Sequence, residues 1–280
     1  MKQDDYNNYK KNFCRVLKAD RIDDVIEISE NELRPCVASI PNSFFRYRTI
    51  SEHTDSEIIE GEVFLSNPSG FDDVFDSKCY IDDNEIGDVI IKNYLNTVDI
   101  AKSVPEYYGV VKVQDEYFRS VNEEINRRLR IGCFTQKNNN VPMWHYYANQ
   151  HKGICIEYDF SDLKSFVELG YIFLPVIYPN KDETNSYRTG IFTTDSFNVS
   201  AVRNSLVKGN DWKFEKEWRI ISFSENPIIH LPVKKLYLGY AIEDSEKNYL
   251  ISLLKYSSKK IPIYQMRETV VGLKPEKIDY

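Results

Sequence analysis

The residues best able to do chemistry lie in four short stretches. Phe214-Glu215-Lys216-Glu217-Trp218-Arg219 carries two carboxylates two positions apart. On a strand, Glu215, Glu217 and Arg219 share one face. Such a pair either balances arginines on a neighbouring strand or stabilises positive charge developing on a reacting sugar. Phe45-Arg46-Tyr47-Arg48 places two guanidiniums on one face of a predicted strand and two rings on the other. Adjacent guanidiniums repel unless an anion or carboxylates sit between them, and arginine is the preferred bidentate partner of phosphate.

Ser66-Asn67-Pro68-Ser69-Gly70-Phe71-Asp72-Asp73-Val74-Phe75-Asp76 joins a strong turn signal to three acids. The acids suit a hard cation, helix caps, or ion pairs with Arg46 and Arg48. A structural Asp73 that locks the turn is the reading adopted, with Phe71 and Phe75 anchoring the loop. The fourth stretch runs from Cys133-Phe134-Thr135-Gln136 through Met143-Trp144-His145-Tyr146-Tyr147-Ala148 to His151-Lys152-Gly153-Ile154-Cys155-Ile156-Glu157. It reads as strand, polar turn, short helix, glycine turn, strand. Trp144 and His145 are either core and satisfied hydrogen-bonding groups or a sandwich for a planar ring. They are expected to lie close to residues 71–76. His145 and His151 are too few for a metal site, and no metal is predicted. Glu157, in an apolar strand, needs a partner or solvent.

These stretches need a scaffold. The first 41 residues carry Tyr6, Tyr9, Phe13, Val16 and Leu17 at helical spacing, then Ile22, Val25 and Ile26 on a second helix. Pro35 and Pro41 close this helical addition, and residues 42–280 form the main domain. Strands are expected at 44–48, 63–65, 131–135, 153–158, 171–177, 217–223, 236–238 and 261–264. Helices are expected at 52–60, through Ile86–Leu95 and Tyr117–Leu129, and at 195–208 and 245–254. The fold class is α+β: a mixed, largely antiparallel sheet covered by helices.

Composition bounds the function. Of 280 residues, 42% are hydrophobic and 28% charged, as in ordinary globular proteins. With 20 Tyr among them, many hydroxyls must reach polar clefts or the surface. A net charge of −7 argues against a grip on duplex nucleic acid over the whole surface, leaving only a local groove. No apolar run reaches the length of a membrane span, and the start of the chain lacks the apolar stretch of a secretion signal. The five cysteines have no paired spacing, which predicts free thiols and a cytoplasmic protein.

The order of these motifs from Phe44 to Ile278 resembles the bacterial family known as domain of unknown function 2971. The matching pieces are Phe45-Arg46-Tyr47-Arg48, Leu65-Ser66-Asn67-Pro68 with Phe71-Asp72-Asp73, Cys133-Phe134-Thr135, Met143 to Ala148, His151 to Ile156, and Phe214 to Arg219. Asp72 stands where many relatives are expected to carry Asn. The order also looks like a divergent ADP-ribosyltransferase fold, an analogy at the level of fold. It implies NAD as substrate: Arg46 or Arg48 on the pyrophosphate, Ser66 at the nicotinamide ribose, Trp144 (with His145) on the ring, and Glu217, assisted by Glu215, as catalyst. The expectation is an enzyme that transfers ADP-ribose to a macromolecular target, protein or nucleic acid, or hydrolyses NAD, in a toxin or phage-defence role. A non-catalytic nucleotide- or protein-binding module and a metal-dependent nuclease using Asp72, Asp73, Asp76 and Glu217 are the alternatives. No glycine-rich dinucleotide fingerprint is present, so a Rossmann site is not expected.

Overall fold

Aromatic strands and a glycine-punctuated turn set the frame of the site. A computed structural model describes residues 3–16, 27–28, 31, 41–73, 75–78, 116, 119–162, 169–180 and 197–280. The helices expected through Ile22–Ile26 and Ile86–Leu95, residues Tyr117 and Phe118, and two of the five cysteines, Cys36 and Cys79, lie outside the described residues. The helices are α1 (Gln3–Val16), α2 (Thr54–Ile59), α3 (Val141–Tyr147), α4 (Phe197–Ser205) and α5 (Asp244–Tyr256), with a further helical stretch at 119–128. The strands are β1 (Ser43–Arg48), β2 (Glu62–Phe64), β3 (Arg130–Thr135), β4 (Ile154–Asp159), β5 (Ile172–Pro175), β6 (Glu217–Ser222), β7 (Ile228–His230), β8 (Val233–Leu238), β9 (Ile263–Thr269) and β10 (Gly272–Ile278).

Eight strands form one sheet in the order β10-β9-β8-β4-β1-β3-β6-β5, and β2 pairs with β7 apart from it. Among the described strands only β8 and β9 pair in parallel; α5 is the crossover between them. The fold is the α+β arrangement read from the sequence. Strand alternation divides the core between the two faces. Phe44, Phe134, Tyr158, Phe160, Phe173 and Trp218 pack on one face, joined by Tyr9 and Phe13 of α1. A smaller cluster of Tyr47, Trp144, Cys155, Tyr237, Met266 and Leu273 fills the other. The Tyr9 hydroxyl donates to the Pro175 carbonyl at 2.8 Å, so α1 is docked on β5. Cys133 and Cys155 carry free thiols.

Helix α3 has local causes at both ends. Asn140 caps it by accepting from the Met143 N–H, and Pro142 occupies the first turn, where its missing donor costs nothing. The Asn140 amide also donates to the Phe214 carbonyl at 2.6 Å, tying the helix to the segment before β6. Tyr47 fixes the approach: its hydroxyl donates to the Lys137 carbonyl at 2.7 Å and accepts from the Asn140 N–H at 3.1 Å. At the other end Asn149, Gln150 and His151 have φ of 44°, 52° and 70°. Three successive left-handed residues with side chains cost about 1–2 kcal/mol each, so the surroundings must hold them. They are held by the Gly239–Ala241 turn, where the His151 carbonyl accepts from the Ala241 N–H at 3.1 Å. A Cβ on Gly239 would lie 1.9 Å from that same oxygen, so only glycine fits.

Candidate functional site

The sheet splits between β1 and β3. These strands meet at one residue pair, Phe45 with Thr135; further along, Ile131 of β3 pairs instead with Ser66. A cleft of about 240 Å³ opens in the split. Because the register aligns Phe45 with Thr135 and Thr135 with Glu217, the side chains of Cys133, Glu217 and Arg219 share the face of Phe45 and Tyr47. Arg46 and Arg48 lie on the face of Phe44. A split sheet lets side chains of both faces line one space, and all of these do.

The Arg46 wall is cationic. Arg46 Nη2 donates to the Phe64 carbonyl at 3.0 Å, while its buried Nη1 has no partner among the described residues. Burial and the charge of Arg48 both lower the proton affinity of Arg46, so a bound anion would relieve it. Arg48 is committed to Glu57, with Nε 3.0 Å from its Oε1.

The opposite wall is a buried ionic cluster. Arg219, fully buried, forks onto Asp76, with Nη1 to Oδ1 at 2.7 Å and Nη2 to Oδ2 at 2.6 Å. Its Nε reaches Glu217 Oε1 at 2.8 Å, its Nη2 reaches Glu217 Oε2 at 3.1 Å, and its Nη1 reaches the Ser205 carbonyl at 2.6 Å. The ring of Phe71 covers it, with Cζ 5.4 Å from the centroid. Lys208 Nζ lies 2.7 Å from Glu215 and 3.4 Å from Glu217. The Tyr147 hydroxyl donates to Glu215 at 2.5 Å. Three carboxylates (Asp76, Glu215, Glu217) thus face two cations (Lys208, Arg219), and the cluster is neutral when one carboxylate keeps its proton.

That proton belongs on Glu215. Burial and the charge of Glu217 push Glu215 up to about 7, against the pull of Lys208 and Tyr147. Burial acts upward on Glu217 too, but Arg219 and Lys208 outweigh it and hold Glu217 well below the usual carboxylate range. A raised carboxyl pKa makes the folded state bind more protons than the unfolded chain, so Glu215 erodes stability as pH rises from about 4.5 to about 7. Glu217 acts in the opposite sense, its contribution being lost only as pH falls below 4.5 towards its depressed value. Stability of the wild type is therefore expected to fall between about pH 5 and 7, and Glu215→Gln to flatten that fall in Tm. An unchanged Tm–pH profile contradicts this.

Of the site residues expected from sequence, Arg46, Arg48, Ser66, Glu215 and Glu217 line this one cleft. Trp144 does not. It is fully buried against Tyr47, with ring centroids 5.1 Å apart, and its indole donates to the Asn138 carbonyl at 2.8 Å, so no ring can stack on it. His145 is exposed on the outside of α3 and does not line the cleft. The helix faces residues 70–73 through Met143 and Tyr147 instead, one helical turn apart. The pairing expected between Glu217 and Arg46 or Arg48 is replaced by Arg219, Lys208 and Asp76. Asp73 does lock its turn, accepting from the Phe75 N–H at 2.9 Å. Glu157 is partnered by the Tyr237 hydroxyl at 2.7 Å and Lys235 at 3.1 Å. Among the described residues no group of three or more His, Cys, Asp or Glu is arranged to hold a metal ion, and no helix is long and apolar enough to cross a membrane.

No curated protein and no solved structure matches the chain. Residues 143–220 match the model of a family described as protein of unknown function, DUF2971. This stretch holds β4, β5, α4 and most of α3 and β6, and with them Tyr147, Lys208, Glu215, Glu217 and Arg219 of the cleft. Over residues 143–220 the chain is thus similar to the DUF2971 family, which the order of its motifs also resembles.

Proposed function

We propose that the protein is an ADP-ribosyltransferase-like, NAD-consuming enzyme, with NAD held in the split between β1 and β3. The observation that supports this is the polarity of one cleft: a guanidinium with one buried nitrogen unpartnered among the described residues on one wall, and three carboxyl groups against two cations on the other. NAD carries the complementary charges, an anionic pyrophosphate and a cationic nicotinamide ring. Arg46 takes a phosphate oxygen, Ser66 a ribose hydroxyl, and Phe71 and Tyr147 supply the rings expected of Trp144. The glycosidic bond between ribose C1′ and the nicotinamide nitrogen breaks, its electron pair stays on nitrogen, and neutral nicotinamide leaves. The resulting oxocarbenium centre is stabilised by Glu217, which its two cations keep ionised. Water, or the nucleophile of a macromolecular acceptor, adds at C1′ and passes its proton to the ionised form of Glu215, which a proton affinity near neutrality keeps populated beside the protonated one. Acting in the cytoplasm, such an enzyme suits a toxin or phage-defence effector.

One observation favours a non-catalytic binding module instead: both oxygens of Glu217 are already engaged within the protein. Both readings share the anion-binding role of Arg46. Calorimetric titration tests it with NAD, ADP-ribose and nicotinamide as separate ligands. Arg46→Ala is expected to weaken NAD and ADP-ribose by tenfold or more, as loss of a charged partner does, and to leave nicotinamide unchanged. Equal affinity of wild type and variant for ADP-ribose would remove Arg46 from the site.

A further inference from the structure

Beside the cleft, six rings touch in series along the outside of α3. The order is Trp212, Phe214, Tyr146, His145, His151 and Tyr240, with successive centroids 6.0, 6.3, 5.2, 6.2 and 4.9 Å apart. None of the six belongs to either hydrophobic core. Tyr146 is 65% exposed and Tyr240 44%, His145 is exposed, and the other three are half-buried. Single exposed aromatics are ordinary, whereas an unbroken ribbon of them is a binding feature. Its position is built at some cost in strain: the left-handed turn at Asn149–His151 is what sets His151 between His145 and Tyr240.

We infer that this ribbon binds a single-stranded nucleic acid, successive bases stacking on successive rings. Every base offers a π-face, so a row of rings reads a strand without needing its sequence. Exposed Lys213 and Lys216 flank the Trp212–Phe214 end and Lys152 the His151 end, against Asp211 and Glu243, so stacking rather than charge leads. Burial and the neighbouring His145 both lower the His151 pKa, which favours its neutral ring. Duplex, whose bases are already stacked and whose grip rests on phosphate charge, fits this acidic chain poorly. Phe214, the second ring of the ribbon, is next to Glu215 of the cleft wall; a strand lying on the ribbon would enter the cleft as acceptor, and that last step alone rests on the NAD reading.

The test is fluorescence anisotropy with labelled single-stranded DNA and RNA of about 12 nucleotides, within the usual span of single-strand sites. The full chain is used without NAD, with a duplex of equal length and inorganic polyphosphate as controls. Tyr146→Ala and Tyr240→Ala change exposed rings outside the cleft, and a thermal melt checks that each stays folded. The expected result is saturable binding of single strand, weaker binding of duplex, and a loss of about fivefold to a hundredfold in each variant. Absence of saturable binding, unchanged affinity in both variants, or equal affinity for duplex overturns the inference. Binding of an aromatic peptide or glycan at these rings, with no oligonucleotide bound, overturns it equally. Because NAD is absent, failure here leaves the NAD reading standing, and failure of NAD turnover leaves strand binding standing.

Discussion

Arg219→Met is expected to destabilise the protein by about 3–5 kcal/mol, the cost of breaking a buried ion pair from one side. Arg219 has no exposed surface, and its five donors are spent on Asp76, Glu217, Ser77 and the Ser205 carbonyl. Removing it leaves three buried carboxylates with Lys208 alone. For a chain of this size the loss corresponds to a fall in Tm of about 10 °C. A compensating variant that adds Asp76→Asn and Glu217→Gln removes the uncompensated charge and should recover much of the loss. If Arg219→Met alone costs less than about 1 kcal/mol in urea denaturation, the cluster is not the buried ionic core described here.

Glu217→Gln separates chemistry from stability. Arg219 keeps its fork onto Asp76, and the repulsion that Glu217 exerts on Glu215 disappears. The fold should therefore lose only about 1–3 kcal/mol, the worth of a few charged hydrogen bonds. Release of nicotinamide from NAD should nevertheless fall by about 100- to 1,000-fold, the usual consequence of deleting one group that stabilises transition-state charge. Glu215 in this variant should also titrate nearer an ordinary carboxylate, shifting the acidic limb of any pH–rate profile downward.

The sequence made one half of the cleft legible and hid the other. Arg46, Ser66, Glu215 and Glu217 announced themselves because charged or turn-forming residues interrupt apolar strands at fixed parity. The partner logic was harder. Asp76 and Arg219 are 143 residues apart, and nothing local says that Glu217 turns to Arg219 and Lys208 rather than to the arginines of β1. The argument applied to Glu157, that a charge in an apolar strand demands a partner, applied equally to Arg219 in Glu217-Trp218-Arg219-Ile220-Ile221. Trp144 misled because residue type outweighed helical phase: within α3, positions 143 and 147 face the cleft, and 144 does not. Strand β10 left no alternating pattern. Its Lys274-Pro275-Glu276-Lys277 is exposed and charged, as edge strands are, so only its hairpin with β9 reveals it. The split in the sheet depends on register between distant strands, which no single stretch of sequence encodes.

The central claim is that the cleft breaks the glycosidic bond of NAD, and the most direct test is chromatographic measurement of nicotinamide released by purified protein. Wild type should release nicotinamide at a rate proportional to protein concentration, Arg46→Ala should need far more NAD to do so, and folded Glu217→Gln should release almost none. Folded wild type that binds NAD yet releases no nicotinamide, with or without a single-stranded acceptor, contradicts the enzymatic account and leaves a nucleotide-binding module.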